Sequence, residues 1–142
     1  MKVKTMTQMW TLLDAYTLDS GGRERSVNNL NEWGGFSRRL GMPVFTAWVD
    51  GVKFDKGTKV STCVVNNLEW AKGNPSGVNN QERWIDFAEK SEGGMAACFV
   101  IHPVDPSADR VRIAEIESER VIVGKIVRDG AKTYIVGQPR PL

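Results

Sequence analysis

Basic and amide side chains gather in the first half of the chain, where they would suit contacts with a nucleic acid. Residues 1–75 carry 10 basic and 7 acidic side chains, whereas residues 76–120 carry 5 and 9. Arginine can read guanine and asparagine adenine, lysine can hold phosphates, and an exposed tryptophan can stack on a base. The predicted contacts are Arg23, Arg25, Asn28, Asn29, Asn31, Arg38, Arg39, Lys53, Lys56, Lys59 and Trp70.

Asparagine pairs followed by an acid and a tryptophan suggest a different kind of site. The pairs begin at residues 28, 66 and 79, and their spacings of 38 and 13 residues are too unequal for a solenoid repeat. They either cap helices beside core tryptophans or line a polar pocket for a small molecule. The predicted lining of that alternative pocket is Trp48, Trp70, Asn66, Asn67, Asn79, Asn80, Trp84 and His102.

Residues for catalysis or metal binding are few. His102 is the one histidine, and Cys98, four residues before it on the same predicted strand, would lie about 13 Å away. No zinc-ligand spacing, nucleophile elbow or phosphate-binding loop is present. Glu115 and Glu117 are two positions apart on a predicted strand and therefore share one face. They form either an acidic pair or part of an ion-pair ladder. We therefore predict no catalytic residue, metal or cofactor, and favour a non-enzymatic protein.

The two cysteines, Cys63 and Cys98, lie within apolar runs. They are interpreted as reduced core residues, which favours a cytoplasmic location, although their spacing leaves a disulfide between them open. Neither a signal peptide nor an apolar run of the ~20 residues needed for a membrane span is visible. The sequence therefore predicts a soluble protein without a membrane partner.

Three helices are predicted to position these side chains. Apolar residues recur at helical spacing over residues 5–18, 24–40 and 79–91, and Asn79 is the expected N-cap of the third helix. The first two helices, joined by a Gly-Gly turn, resemble a helix-turn-helix outline, although Gly34 and Gly35 weaken the second. Lysines on the following hairpin would then act as a wing.

The rest of the chain reads as strands. Residues 43–49 and 52–54 flank Asp50-Gly51 as a predicted hairpin, and a turn at 55–57 leads to a strand over 59–65. Residues 95–102 form a continuous apolar run typical of a central strand. Strands over 110–116, 121–127 and 131–136, with a turn at Asp129-Gly130, suggest a C-terminal meander.

Together these patterns predict one α+β domain over residues 1–142. Its 142 residues, 41% hydrophobic and 25% charged, are typical of a single globular domain. The predicted architecture is two N-terminal helices, a third helix, and an antiparallel curved sheet or small half-barrel. The expected function is a small binding module for DNA or RNA. The alternatives are a small-molecule pocket protein, with or without catalysis, and a homodimeric adaptor using the free edge of the meander.

Overall fold

A computed structural model describes residues 3–27, 32–72, 75–105 and 112–142. These residues form two α-helices, α1 (Met6–Leu12) and α2 (Pro75–Lys90), and ten strands. The strands are β1 Ala15–Leu18, β2 Glu24–Arg25, β3 Gly34–Ser37, β4 Met42–Trp48, β5 Val52–Asp55, β6 Val60–Asn67, β7 Met95–Pro103, β8 Ile113–Ile116, β9 Arg120–Asp129 and β10 Lys132–Pro141. The predicted architecture of three helices with a small half-barrel is therefore wrong, although the chain is still of the α+β class.

One continuous sheet contains all ten strands. Its order is β2-β1-β3-β4-β7-β9-β10-β6-β5, with β8 added beside β7. Strands β4 and β7 are parallel, with Val44 opposite Ala97, and the other pairs are antiparallel. The β8–β9–β10 meander is only half correct, since β9 pairs with β10 while β8 pairs with β7.

From Ala96 to Ile101 the central strand β7 is apolar, because both of its faces are covered there. Ala97, Phe99 and Ile101 join the core beneath α1, where Trp10 packs edge-on against Phe99. The alternate residues of β7, among them Cys98, join the core beneath α2. A strand buried on both faces reads as a continuous apolar run, and the central strand predicted over 95–102 is confirmed.

The predicted helix over residues 24–40 is wrong, and with it the helix-turn-helix outline. Residues 24–25 belong to β2 and 34–37 to β3, while the predicted contacts Asn28, Asn29 and Asn31 lie outside the described residues. A Cβ on Gly35 would stand only 2.6 Å from the carbonyl oxygen of Tyr16. Glycine at this position lets β3 approach β1, and this close pairing replaces the helical arrangement.

The first predicted helix is real but shorter than expected. Thr5 and Gln8 form a reciprocal capping box at its start, and α1 ends at Leu12 rather than residue 18. Asp14 has a φ of 48°, so the chain turns there and continues as β1. Tyr16, predicted on the helix face, therefore lies in a strand opposite Phe36.

The predicted turns divide into two groups. Gly130 has a φ of 62°, and the Asp129-Gly130 turn joins β9 to β10 as predicted. The turn over residues 55–57 likewise joins the antiparallel strands β5 and β6. The Asp50-Gly51 hairpin is wrong: these residues form a 3₁₀ turn, after which β5 pairs with β6 instead of returning along β4.

The third predicted helix is confirmed as α2, although it begins at Pro75, so Asn79 is not its N-cap. Arg128 on β9 anchors this helix to the sheet. Its guanidinium contacts Glu82 at 2.7 Å, Asp86 at 2.7 Å and Glu89 at 2.8 Å. Burial alone would lower the pKa of Arg128, but the hydrogen bonds to Glu82 and Glu89 raise it above its ordinary value.

Cys63 and Cys98 are free thiols that are fully buried in the core beneath α2, as predicted. They come from strands that are not neighbours in the sheet, yet both side chains belong to the same buried cluster. The interaction with Cys63 and burial raise the pKa of Cys98 above its ordinary value. Neither helix in the described residues has the length and apolar character needed to cross a membrane.

Candidate ligand pocket

A polar cavity of about 420 Å³ opens between the first half of α2 and three residues near the β2–β1–β3 end of the sheet, Leu18, Arg25 and Glu32. We call it the α2 pocket. Its lining residues are Leu18, Arg25, Glu32, Ser76, Asn79, Asn80 and Arg83. The helical residues 76, 79, 80 and 83 follow the spacing that places side chains on one helix face.

An ion pair forms one wall of the α2 pocket. The Arg25 guanidinium contacts both carboxylate oxygens of Glu32, at 2.5 and 2.6 Å. Glu32 is buried, whereas the Arg25 side chain is 41% exposed. The hydrogen bonds to Glu32 raise the pKa of Arg25 above its ordinary value. The charge of Arg25 is thus already balanced within the protein.

Asn80 fixes the floor of the pocket. Its carboxamide oxygen accepts hydrogen bonds from the backbone N–H groups of Trp33 at 3.1 Å and Gly34 at 2.9 Å. Its amide nitrogen donates to Glu32 at 3.3 Å and to the Thr17 hydroxyl at 3.4 Å. Both ends of a buried amide are therefore satisfied, which holds the wall and the helix in one arrangement.

The rim of the pocket has unused donors. Arg83 donates to the carbonyl oxygen of Leu18 at 2.8 Å, and no carboxylate among the described residues lies within ion-pair distance of it. The exposed side chains of Ser76 and Asn79 make no hydrogen bond to any part of the chain that the structure describes. One uncompensated positive charge and two polar side chains thus face the opening.

The structure separates the predicted nucleic-acid contacts. Arg23, Arg25, Arg38 and Arg39 belong to the β2–β1–β3 end of the sheet, whereas Lys53, Lys56 and Lys59 belong to the β5–β6 hairpin at the other end of the strand order.

Two of those predicted contacts also have partners within the protein. Arg38 pairs with Glu24, lies 3.9 Å from Asp14 and stacks over the Tyr16 ring at 4.2 Å. Trp70, predicted as an exposed stacking surface, is half-buried and packs edge-on against Trp33, with ring centres 5.9 Å apart. Partnered side chains of this kind are less available to a polyanion.

The predicted tryptophan- and asparagine-lined pocket is also divided. Asn79 and Asn80 line the α2 pocket, but the other members do not. Asn66 is buried and donates to Glu82, Asn67 accepts from the backbone of Glu69, and Trp84 donates from the core to Thr17. Trp48 joins the core beneath α1, on the other face of the sheet.

A second, larger cleft of about 740 Å³ lies beside the segment joining β8 to β9, with Glu115, Glu117 and Glu119 in its wall. The predicted ion-pair ladder is absent among the described residues there, and Glu117 instead contacts His102 at 2.6 Å. No group of three or more potential metal ligands occurs within residues 3–27, 32–72, 75–105 and 112–142.

Sequence reasoning missed Glu32, Ser76, Leu18 and Arg83 as site residues. Arg83 stands four positions after Asn79 in a predicted helix, so the shared helix face was a usable signal for it. Glu32 had no such signal, because its partners Arg25 and Asn80 are joined to it only by the fold. No known protein family, curated protein or solved structure matches the chain.

Proposed function

We propose that this protein is a non-catalytic binding module whose α2 pocket takes a small molecule with a carboxylate or phosphate group. The observation that carries the proposal is the guanidinium of Arg83, which lies at the rim of the pocket and has no carboxylate partner among the described residues. The other arginine of the pocket, Arg25, is already paired with Glu32. A ligand anion would supply the charged partner that Arg83 lacks within the part of the chain that the structure describes. Guanidinium groups suit carboxylates and phosphates because two parallel N–H donors match two oxygens.

The position of the pocket on α2 adds to this preference. Ser76 and Asn79 lie in the first two turns of the helix, where the helix dipole favours negative charge. Their hydroxyl and amide groups make no hydrogen bond to the described residues and could bond a ligand. The cavity volume of about 420 Å³ falls within the range of roughly 300–1,000 Å³ typical of small-molecule sites.

The rigid wall favours selective binding. Glu32, Arg25 and Asn80 hold one another through hydrogen bonds between 2.5 and 3.3 Å, so the site is arranged before a ligand arrives. Prearranged sites lose less conformational entropy on binding. The ion pairs of Arg25 and Arg38 favour a small ligand over a nucleic acid. A phosphate backbone is bound by several positive charges, and these two are already balanced by carboxylates of the protein.

A thermal-shift titration tests the proposal. The protein is screened against inorganic phosphate, citrate and nucleoside monophosphates, and the best compound is titrated against Arg83→Gln and the matched control Arg112→Gln. Arg112 is exposed and outside both cavities. We expect at least about tenfold weaker binding in Arg83→Gln, since a charged hydrogen bond contributes roughly 1.5–3 kcal/mol, and no change in Arg112→Gln.

Two outcomes would reject this function. Equal binding by both variants would place the ligand elsewhere, and no stabilisation by any anion would leave the pocket without its predicted ligand. Short DNA and RNA duplexes and single strands form a separate arm of the experiment. Their binding, with an affinity that falls linearly with the logarithm of salt concentration, would favour the nucleic-acid function instead.

We also propose a reducing, cytoplasmic location. Cys63 and Cys98 are free thiols that lie in the same buried cluster. Thiols persist in the reducing interior of the cell, whereas oxidising compartments favour disulfides. Fractionation of the source cells, with thiol labelling after denaturation, checks this: recovery outside the cytoplasm or as a disulfide would contradict it.

A further inference from the structure

The strand β5 leaves one of its two edges open. It pairs with β6 on one side, with Val52 opposite Cys63 and Asp55 opposite Val60. It stands at the end of the strand order, and no strand within the described residues pairs with its other side. Alternate N–H and C=O groups along that side therefore point outward, as a template for another strand.

We propose that this edge pairs antiparallel with β5 of a second copy of the chain, about a two-fold axis at Phe54. Two-fold pairing uses the same surface on both copies, so the strand must be complementary to itself. In an antiparallel strand, successive residues direct their backbone groups to opposite sides. A residue of β5 can therefore lie opposite only a residue of the same parity, and the possible centres are few.

The charges of β5 favour one of these registers. A centre at Val52 pairs neither charge, since it sets Lys53 opposite Gly51 and Asp55 opposite Val49. A centre at Lys53 sets two lysines opposite each other, and a centre at Asp55 sets two aspartates opposite each other, which destabilises pairing. A centre at Phe54 instead sets each Lys53 opposite the partner's Asp55. Both residues are exposed, and neither has an ion-pair partner in the described part of the chain.

Phe54 supplies the apolar centre of the same register. Its side chain is 55% exposed, so the phenyl ring is available to a neighbouring strand. The two-fold axis would bring the two phenyl rings together across the new strand pair, where aromatic neighbours are favourable. The opposite end of the sheet offers no comparable edge, because β2 has only the two charged residues Glu24 and Arg25.

Sedimentation velocity over a concentration series tests the proposal on the full chain. Wild type is compared with Lys53→Asp, which sets like charges opposite in the Phe54 register, and with Phe54→Ser. Lys90→Asp makes the same charge change on the exposed last turn of α2 and serves as the control. Circular dichroism of each variant checks that it is folded.

We expect a monomer–dimer equilibrium in wild type and Lys90→Asp, and at least about tenfold weaker association in the other two variants. A wild-type chain that stays monomeric up to its solubility limit overturns the proposal. So does a dimer that survives both substitutions, because it must use another surface. The result does not depend on the α2 pocket, since β5 contributes no residue to it.

Discussion

The side-chain oxygen of Asn80 accepts a hydrogen bond at 2.9 Å from the backbone N–H of Gly34, 46 positions earlier in the chain. A side chain of α2 thereby accepts the hydrogen bond of the backbone N–H group of the first residue of β3. Because the other end of the same amide bonds Glu32, this contact joins α2, β3 and the wall of the α2 pocket. The stability of the pocket and that of the fold therefore depend on the same residue.

Replacement of Asn80 by aspartate should destabilise the protein by about 2–4 kcal/mol, because it removes the amide donor and adds a second buried carboxylate beside Glu32. The control is Asn79→Asp, which makes the same change at an exposed neighbour. Urea unfolding monitored by tryptophan fluorescence measures both. Equal effects of the two substitutions would show that the Asn80 network does not stabilise the fold.

Replacement of Arg128 by alanine should lower the free energy of unfolding by about 2 kcal/mol, because three carboxylates of α2 lose their shared partner. The free energy of unfolding of Arg128→Lys should lie between those of wild type and Arg128→Ala, since an ammonium cannot contact carboxylates on three successive helix turns as a guanidinium does. Arg140→Ala is the control, because Arg140 lies on the neighbouring strand and has no ion pair within the part of the chain that the structure describes. Denaturant unfolding at low and high salt measures the free energy of unfolding of each variant. An equal loss in Arg128→Ala and Arg140→Ala would contradict the anchoring role of Arg128.

The buried thiol of Cys98 should make stability fall at alkaline pH. Its pKa is raised in the folded protein, so above the ordinary value of 9.0 the unfolded chain loses a proton that the folded chain keeps. The stabilisation is thus complete at neutral pH and is lost as pH rises. The advantage of wild type over Cys98→Ala should narrow between about pH 8 and pH 10, by at most about 1.4 kcal/mol per pH unit.

Val65→Ala is the control for that measurement, because it shortens a buried side chain of the same core cluster that has no titratable group. The advantage of wild type over Val65→Ala should not narrow over the same range. Unfolding by urea at each pH gives both differences. A constant difference for Cys98→Ala would show that its thiol titrates alike in the folded and unfolded chains.

Substitution of Gly124 by alanine should be among the most destabilising single changes in the sheet. A Cβ there would lie 2.1 Å from the carbonyl oxygen of Val136 and 2.5 Å from the Cα of Gly137 on the paired strand. Backbone atoms cannot move aside without breaking the β9–β10 ladder, so we expect a loss of roughly 2–4 kcal/mol.

Gly21→Ala is the matched control for that substitution, since its Cβ would meet only the Asp19 side chain at an ordinary 3.4 Å. Thermal unfolding followed by circular dichroism compares the two. Similar melting temperatures for both variants would mean that the close approach of β9 and β10 is readily relieved.

The sequence by itself determined the elements whose pattern is local. The unbroken apolar run of β7, the amphipathic period of α2 and the turn at Asp129-Gly130 each follow from a few neighbouring residues, and each is present in the structure. Burial of Cys63 and Cys98 followed equally from the apolar residues beside them. These features are decided by backbone sterics and by which side chains avoid water.

Only the tertiary structure decided the strands β2 and β3 and the pocket that Arg25 and Glu32 border. In the sequence, Val27, Leu30, Trp33, Phe36 and Leu40 recur at a spacing typical of a helix. Gly35 nevertheless permits β3 to lie against β1, and strand pairing replaces the local preference. Propensity contributes a few tenths to about 1 kcal/mol per residue, so the burial and hydrogen bonds of a sheet readily override it. Strand pairing between distant parts of the chain places Glu32 against Arg25 and Asn80. It also places Arg83 at the rim of the α2 pocket. The sequence spacing of these residues does not indicate that they lie together.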